Sequence, residues 1–355
     1  MLQLSSINEV ASTLPSTMKA WQWSSCSDTL ENALVLNTTA SLPTARRPLA
    51  PGESLIQVHA AALNPVDYKL AELPVVGRMA IPKPATPGLD FAGMVVDVGR
   101  DCDVKVGQMV FGKLEPKQQF GTLGEYIVGS KAGTVPLPEG ITAENAATLG
   151  VCGLVTYQCL APNVKAGDRV FINGGSGGTG TFAIQIAKAL GCHVTTTCSG
   201  ANVQLCKRLG ADEVIDYHAS DVPSALSKSG KIYDMVLDNV GHDFELYWKS
   251  PSYTKPGAKY VQIGSQVSLA FISDLAFRFL VPTSLGGGQR PFSFGLASTN
   301  SADFVRLVDL VAERKVIPAI DEVFAFEDVA KAYAKLRTGR ARGKFVIRVA
   351  SMQKN

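Results

Sequence analysis

The stretch Arg169-Val-Phe-Ile-Asn-Gly-Gly-Ser-Gly-Gly-Thr-Gly-Thr181 constrains this chain more than any other. Its apolar run, Val170-Phe171-Ile172, reads as a short strand that breaks into glycines and opens directly into a helix. Gly175, Ser176, Gly177, Gly178, Thr179 and Gly180 spell G-x-G-x-x-G, the turn in which backbone N–H groups meet a pyrophosphate at a helix N-terminus. A Cβ there would hold the phosphate away and obstruct turns of positive φ. The motif alone is weak, and its context strengthens it. Phe182, Ala183, Ile186, Ala187 and Leu190 follow at helical spacing, and the next strand is expected at His193–Thr197. A P-loop does not fit, because no Gly-Lys-Ser/Thr follows. The stretch is read as a dinucleotide site rather than a tight turn that binds nothing.

An NAD site normally carries Asp or Glu at the end of the second strand, about 20 residues on, for the ribose 2′-hydroxyl. Here that strand end holds Cys198 and Ser199, with no carboxylate before Asp212. An acid would repel a 2′-phosphate, whereas a hydroxyl and an amide can donate to it. Ser199 and Asn202 are the candidate donors, with Tyr217 arriving at the end of the third strand; the plainer role for the first two is turn formation. The expected cofactor is NADPH.

The 355 residues, 46% hydrophobic and 18% charged with 33 glycines, suit an α/β enzyme of two domains better than a disordered or fibrous chain. Lys plus Arg number 34 against 31 acids, so the charge balance points to no nucleic-acid or acidic-lipid partner. Seven scattered cysteines without C-x-x-C imply free thiols in a reducing compartment, and a cytoplasmic location is expected. Residues 1–17 read as a loosely held extension with neither signal-peptide nor transit-peptide character. Ser268–Leu285 is the one apolar stretch that suggests a membrane, but Asp274 and Arg278 interrupt it. A buried or substrate-covering helix is expected there instead.

Residues 18–130 alternate short β-like runs with turns, at 54–62, 91–98, 108–112 and 124–128. From about 165 to 265 strands alternate with helices, at 169–173, 193–197, 214–217, 234–239 and 259–263, which predicts a doubly wound parallel sheet. The tail offers helices at 301–314 and 326–338 and a last strand, 343–349, returning to the first domain. The expected division is an extension at 1–17, a first domain at 18–150, a dinucleotide domain at 151–295 and a return at 296–355, with the cofactor in a cleft between domains.

Six segments in this order resemble the medium-chain dehydrogenase/reductase superfamily from Met18 to Val349. They are Ala62-Leu-Asn-Pro-Val-Asp-Tyr-Lys69, Pro87-Gly-Leu-Asp-Phe-Ala-Gly93, Gly153-Leu-Val-Thr-Tyr157, the glycine loop, Leu209-Gly-Ala-Asp-Glu-Val-Ile-Asp-Tyr217 and Gly343-Lys-Phe-Val346. The branch most similar is the zinc-independent one of quinone oxidoreductases, double-bond reductases and trans-acting enoyl reductases. The resemblance implies a GroES-like, mainly-β catalytic domain beside the Rossmann domain, in a monomer or homodimer. It implies that Asn64 and Asp67 lie near the nicotinamide, that Thr156, Asn239 and Val240 line the cofactor, and that Phe294, Gly295 and Lys344 close over it.

The departures from the alcohol dehydrogenases of that superfamily bear on chemistry. Catalytic zinc needs three protein ligands. Asn64–Tyr68 holds no cysteine, Gly88-Leu89-Asp90 stands where a Gly-His-Glu would, and only Cys152 matches the third position. No catalytic metal is expected. Without a Lewis acid, hydride addition to an enone, enoyl or alkenal double bond, or to a quinone, is the easier reaction, because the enolate oxygen needs only hydrogen-bond donors. Tyr68 is the candidate proton donor or enolate stabiliser, with solvent and Cys152 as alternatives. Two rivals stay open: an enoyl reductase acting on a carrier-tethered polyketide, and a protein that retains NADPH without turnover.

Overall fold

The computed structural model describes residues 14–43, 48–73, 79–265 and 268–350. The expected N-terminal extension thus lies outside the described residues as far as residue 13. The chain divides into two compact units, Met1–Val151 with Thr299–Ala312 and Ile320–Asn355, and Cys152–Ser298 with Glu313–Ala319. The last segment groups with the second unit because the Gln185 amide donates to the Ile317 carbonyl at 3.0 Å and accepts from the Ile317 N–H at 2.8 Å.

The first unit is built on a seven-stranded sheet. In spatial order it runs Ile320–Ala325, Lys344–Arg348, Glu53–Ala62, Asp90–Val98, Met109–Lys113 and Thr134–Pro136, with Tyr126–Ser130 also paired to Glu53–Ala62. The returning strand lies antiparallel to Glu53–Ala62, with Val346 opposite Ala62, and parallel to Ile320–Ala325. Ile56, Val58, Phe91, Val95, Val110 and Phe345 form its core. The helix Val329–Arg337 closes it with Val329, Ala332 and Tyr333, spaced to share one face. The strand expected from residue 124 begins at Tyr126; Gly124 makes only an isolated bridge to Ala20. A smaller antiparallel pair, Thr17–Gln22 and Val35–Ser41, flanks this unit.

The second unit holds six parallel strands in the order Glu213–Asp216, His193–Cys198, Arg169–Asn173, Tyr233–Asp238, Thr254–Gln262 and Phe292–Phe294. Strand order reverses between Arg169–Asn173 and Tyr233–Asp238, the topological switch point where such sheets bind ligands beyond their carboxyl ends. Helices cover both faces, so Val170-Phe171-Ile172 and Val236-Leu237 are fully buried as continuous apolar runs.

The apolar stretch after residue 268 is helical, as expected, but the helix is not buried. It forms a helix, Leu269–Leu280, in which only Phe271 and Arg278 are buried. Leu269, Ile272, Phe277, Phe279 and Leu280 face solvent. The cause is the pair that interrupts the run. Arg278 turns inward to Asp274 and lies over the rings of Tyr247 and Phe292 at 4.1 and 4.7 Å, while the Trp248 indole N–H donates to Asp274 at 2.7 Å. Among the described residues no helix is long and apolar enough to cross a membrane.

Candidate functional site

The glycine loop sits at the switch point of the second unit, and its glycines divide three jobs. A Cβ on Gly175 would lie 2.2 Å from Thr196 Oγ1, and one on Gly180 would lie 2.0 Å from the Gly174 carbonyl, so both are needed for close packing. A Cβ on Gly177 would meet nothing within 4 Å. Open space over the middle glycine, at the start of the helix Gly178–Ala189, is the cradle a pyrophosphate requires. The expected positive φ does not fall on the middle glycine of the motif. Gly177 has φ −81 and ψ 179, an extended conformation open to any residue. The left-handed position is Gly174, with φ +81, just before the motif.

Hydrogen bonds tie the neighbouring candidates to this loop. The Asn202 amide donates to Ser176 Oγ at 3.2 Å, joining a proposed 2′-phosphate donor to the loop, and its Oδ1 is buried without a partner. Ser199 is half-buried, and its side chain caps nothing. Tyr217 falls one residue past the third strand, half-exposed, with its ring tilted by 51° against that of His218 at 4.5 Å. Asp216 is an acid that counting along the second strand misses. It lies opposite Cys198 in register, and its carboxylate would be 2.6 Å from a Cβ on Gly200. That carboxylate accepts the His218 N–H at 2.9 Å.

Asp238 shapes the next loop. Its Oδ1 accepts from the N–H groups of Val240 and Gly241 and from the Asn173 amide, and its Oδ2 accepts from the Tyr260 hydroxyl. Val240 is thereby held against Gly174, and both polar atoms of the Asn239 side chain are left buried without partners. Such orphaned groups cost about 1–3 kcal/mol each unless a ligand satisfies them. Thr156 is fully buried and donates to the Cys152 carbonyl at 2.8 Å, with the Thr179 carbonyl of the loop's helix 3.5 Å from the same hydroxyl. Thr179 Oγ1 reaches Cys152 Sγ at 3.6 Å. Gly295 is packed where a Cβ would strike Cys159 Sγ at 2.6 Å, while Phe294 is partly exposed and edge-on to Phe271. Open space at Gly177 together with the orphaned Asn202 Oδ1 and the orphaned Asn239 amide fits a dinucleotide.

The first unit gathers a second group of candidates around one buried cluster. Asn64 caps the helix Pro65–Glu72, and Asp67 Oδ2 accepts the Asn64 N–H at 2.8 Å, completing a capping box. The Asn64 amide donates to Asp90 Oδ2 at 2.9 Å. Lys344 donates to the Leu63 carbonyl, Asn64 Oδ1 and Asp90 Oδ2 at 2.9, 2.5 and 3.3 Å. Asp90 Oδ1 takes the Val151 N–H from a π-helical turn, Leu149–Gly153. The Tyr333 hydroxyl donates to Asp67 Oδ2 at 3.4 Å. Asp90, Lys344 and Asp67 are 0%, 3% and 6% exposed, so this is one cation with two acids in a low-dielectric interior. Lys344 neutralises Asp90. Burial, reinforced by the Asp90 charge, pushes the Asp67 carboxyl up to about 8.

Tyr68, next on the same helix, packs edge-on to Tyr333 at 6.5 Å, under the Arg337 guanidinium at 4.3 Å. Arg337 is in turn forked onto Glu31 at 2.7 and 2.8 Å and paired with Glu72. Burial raises the Tyr68 hydroxyl above its ordinary range. Among the described residues nothing hydrogen-bonds that hydroxyl. Leu89 and Cys152 are buried, and among the described residues no three His, Cys, Asp or Glu side chains assemble into a metal-binding group.

Known proteins match this architecture. Residues 50–139 match the alcohol dehydrogenase GroES-like domain family, and residues 209–347 match the family described as zinc-binding dehydrogenase. The chain is 48% identical to trans-enoyl reductase pgmF of Aspergillus terreus over 96% of its own length and 98% of that protein's. It is 33% identical to the mitochondrial NAD(P)H oxidoreductase RTN4IP1 of Homo sapiens, covering 84% of this chain and 82% of that protein. The structure of the quinone oxidoreductase from Coxiella burnetii superposes with a TM-score of 0.80 at 30% identity, over 94% of this chain and 99% of that one. Fold, motifs and relatives agree: the chain is an oxidoreductase that belongs to the medium-chain dehydrogenase/reductase superfamily, in its enoyl and quinone reductase branch.

Proposed function

We propose that the protein is an NADPH-dependent, metal-independent reductase of carbon–carbon double bonds conjugated to a carbonyl, acting in trans on enoyl substrates made by another enzyme. The observation that carries this is the 48% identity, over nearly the full length of both chains, with a protein named trans-enoyl reductase. Bound dihydronicotinamide supplies hydride to the β-carbon. Gly175, Ser176, Gly177, Gly178 and Thr179 cradle the pyrophosphate. Ser199, Asn202 and Tyr217 donate to the 2′-phosphate, a choice supported by the lack of an acid at the second strand's end. Thr156, Asn239, Val240, Phe294 and Gly295 shape the cofactor's surroundings, and Asn64, Asp67 and Lys344 those of the nicotinamide. Tyr68 delivers the proton to the α-carbon. Metal independence is supported by Leu89 standing where the superfamily's zinc enzymes carry histidine, and by Asp90 being neutralised by Lys344 rather than left for a cation.

A cytoplasmic monomer or homodimer acting on small molecules completes the assignment. Quinone reduction is the second reading, favoured by the likeness to the Coxiella burnetii enzyme. Both are tested by following NADPH oxidation with an enone, an enoyl thioester and a quinone. Turnover of the enoyl thioester above the quinone is the expected result, and no NADPH oxidation with any of the three would refute the assignment.

A further inference from the structure

Behind the cap of the helix Pro65–Glu72 lies a cavity of about 40 Å³. Apolar groups of Trp23, Leu70, Ile81, Leu89 and Leu114 make most of its wall. Four polar side chains interrupt that wall: the exposed Lys117 and Gln118, and Asp67 and Thr86, which are 6% and 2% exposed. Asp67 Oδ1 and Thr86 Oγ1 are both buried with no hydrogen-bond partner among the described residues. Two orphaned polar atoms on one small cavity form an arrangement that a polar guest would relieve.

The protonation state follows from the neighbours. The charged and titratable groups around Asp67 are Asp90 and Lys344 through Asn64, Tyr68 on its own helix, Tyr333 from the helix Val329–Arg337, and Lys117 on the lining of the same cavity. Burial and the Asp90 charge outweigh the attraction of Lys344, so the Asp67 carboxyl holds its proton at neutral pH. Its Oδ2 already accepts two hydrogen bonds, from the Asn64 N–H and the Tyr333 hydroxyl. The acid proton therefore belongs on Oδ1, the atom without a partner. A neutral carboxylic acid and a hydroxyl, both able to donate, then share one cavity.

We propose that Asp67 and Thr86 form the binding site for the substrate's carbonyl oxygen. The proposal rests on the enoyl-reductase reading and names the groups that stabilise charge there. As hydride adds to the β-carbon, the π pair moves onto the carbonyl oxygen, and the O–H groups of Asp67 and Thr86 hold the resulting enolate. The α-carbon then takes one proton from Tyr68, which is re-protonated by water, and the C=O re-forms. One hydride and one proton are consumed, and Asp67 ends with the proton it began with. A carboxylic acid kept neutral so that it can donate is an established means of stabilising an enolate. The cavity has room for a carbonyl group and little more, so the rest of the substrate lies outside it.

The test compares wild type, Asp67→Asn and Thr86→Val. Asparagine preserves the cap, because its Oδ1 can accept the Asn64 N–H, but it cannot ionise. Valine keeps the volume of Thr86 and its backbone bond to the Gln119 carbonyl. With an enone and saturating NADPH, wild-type kcat/KM is expected to fall on a basic limb as Asp67 ionises, and Asp67→Asn to lose that limb between pH 6 and 10. Thr86→Val is expected to lower kcat/KM at least tenfold at every pH. It should also weaken binding of a saturated ketone of the same skeleton, with NADPH affinity and melting temperature unchanged. A basic limb that persists in Asp67→Asn, or wild-type kcat/KM in Thr86→Val, would overturn the proposal, as would NADPH affinity lost in step with activity. A wild-type enzyme that reduces neither enone nor enoyl thioester would instead remove the reading beneath it.

Discussion

Replacing Asp67 with asparagine should change how the stability of the first unit depends on pH. In the unfolded chain this carboxyl titrates near 3.8, and in the folded chain burial and the Asp90 charge move it up to about 8. The folded state therefore holds a proton that the unfolded state releases. Below pH 3.8 the two states are equally protonated and nothing is lost; stability then falls as pH rises, until the folded group itself ionises near 8. At pH 7 the accumulated loss is about 4 kcal/mol, at 1.36 kcal/mol per pH unit. The asparagine side chain removes the titration and keeps the acceptor for the Asn64 N–H, at the cost of a constant offset for its buried amide. Urea unfolding in a Trp248→Phe background leaves Trp21 and Trp23, both packed on the first unit's core, as the reporters. Between pH 5 and 7 the variant should gain about 1.4 kcal/mol per unit on wild type. Parallel curves across that range would show that Asp67 is ionised in the folded protein, and the charge assignment of the cluster would fall with it.

Four further outcomes are expected. NADPH should bind at least tenfold more tightly than NADH by calorimetry, a difference of about 1.4 kcal/mol, and Ser199→Asp should reverse the order; equal affinities in wild type would refute the 2′-phosphate site. Gly177→Val should abolish NADPH binding, because the side chain would fill the open space over that residue, while circular dichroism stays that of a folded chain; retained binding would place the pyrophosphate elsewhere. Tyr68→Phe should lower kcat with enones by about 10²-fold and leave KM nearly unchanged, whereas a wild-type rate would reduce Tyr68 to a packing residue under Arg337. Elemental analysis should find no stoichiometric zinc and EDTA should leave turnover intact; one zinc per chain would contradict metal independence.

The glycine loop and the alternation of strand and helix are legible because each is a local pattern, read within about a dozen residues of sequence. What sequence does not reveal is local conformation without periodicity, and anything assembled from distant segments. Nothing in G-x-G-x-x-G says that the left-handed residue is Gly174 and not Gly177. Asp216 escapes notice because its relation to Gly200 comes from strands lying side by side, not from spacing along one strand. The cluster around Asp67 joins residues separated by 266 positions at Tyr333, and Lys344 meets Asp90 across 254. Asp90 stands inside a recognisable motif with no role attached, since its partner lies near the other end of the chain. Asp274 and Arg278 read as breaks in an apolar stretch, yet they are the residues that face inward and leave the apolar ones outside.

The returning strand carries a consequence for biosynthesis. Lys344–Arg348 lies between Ile320–Ala325 and Glu53–Ala62, so it completes a sheet begun nearly 300 residues earlier. Until the ribosome has released residue 348, the Ala60–Ala62 end of Glu53–Ala62 keeps an open edge and Asp90 lacks the ammonium of Lys344. The six-stranded unit from Cys152 to Ser298 contains its whole sheet in one continuous segment and can close while the rest is still being made. The nascent chain thus carries a finished dinucleotide fold and an aggregation-prone, half-built sheet at the same time. Loss of the last dozen residues would leave the protein in that condition permanently.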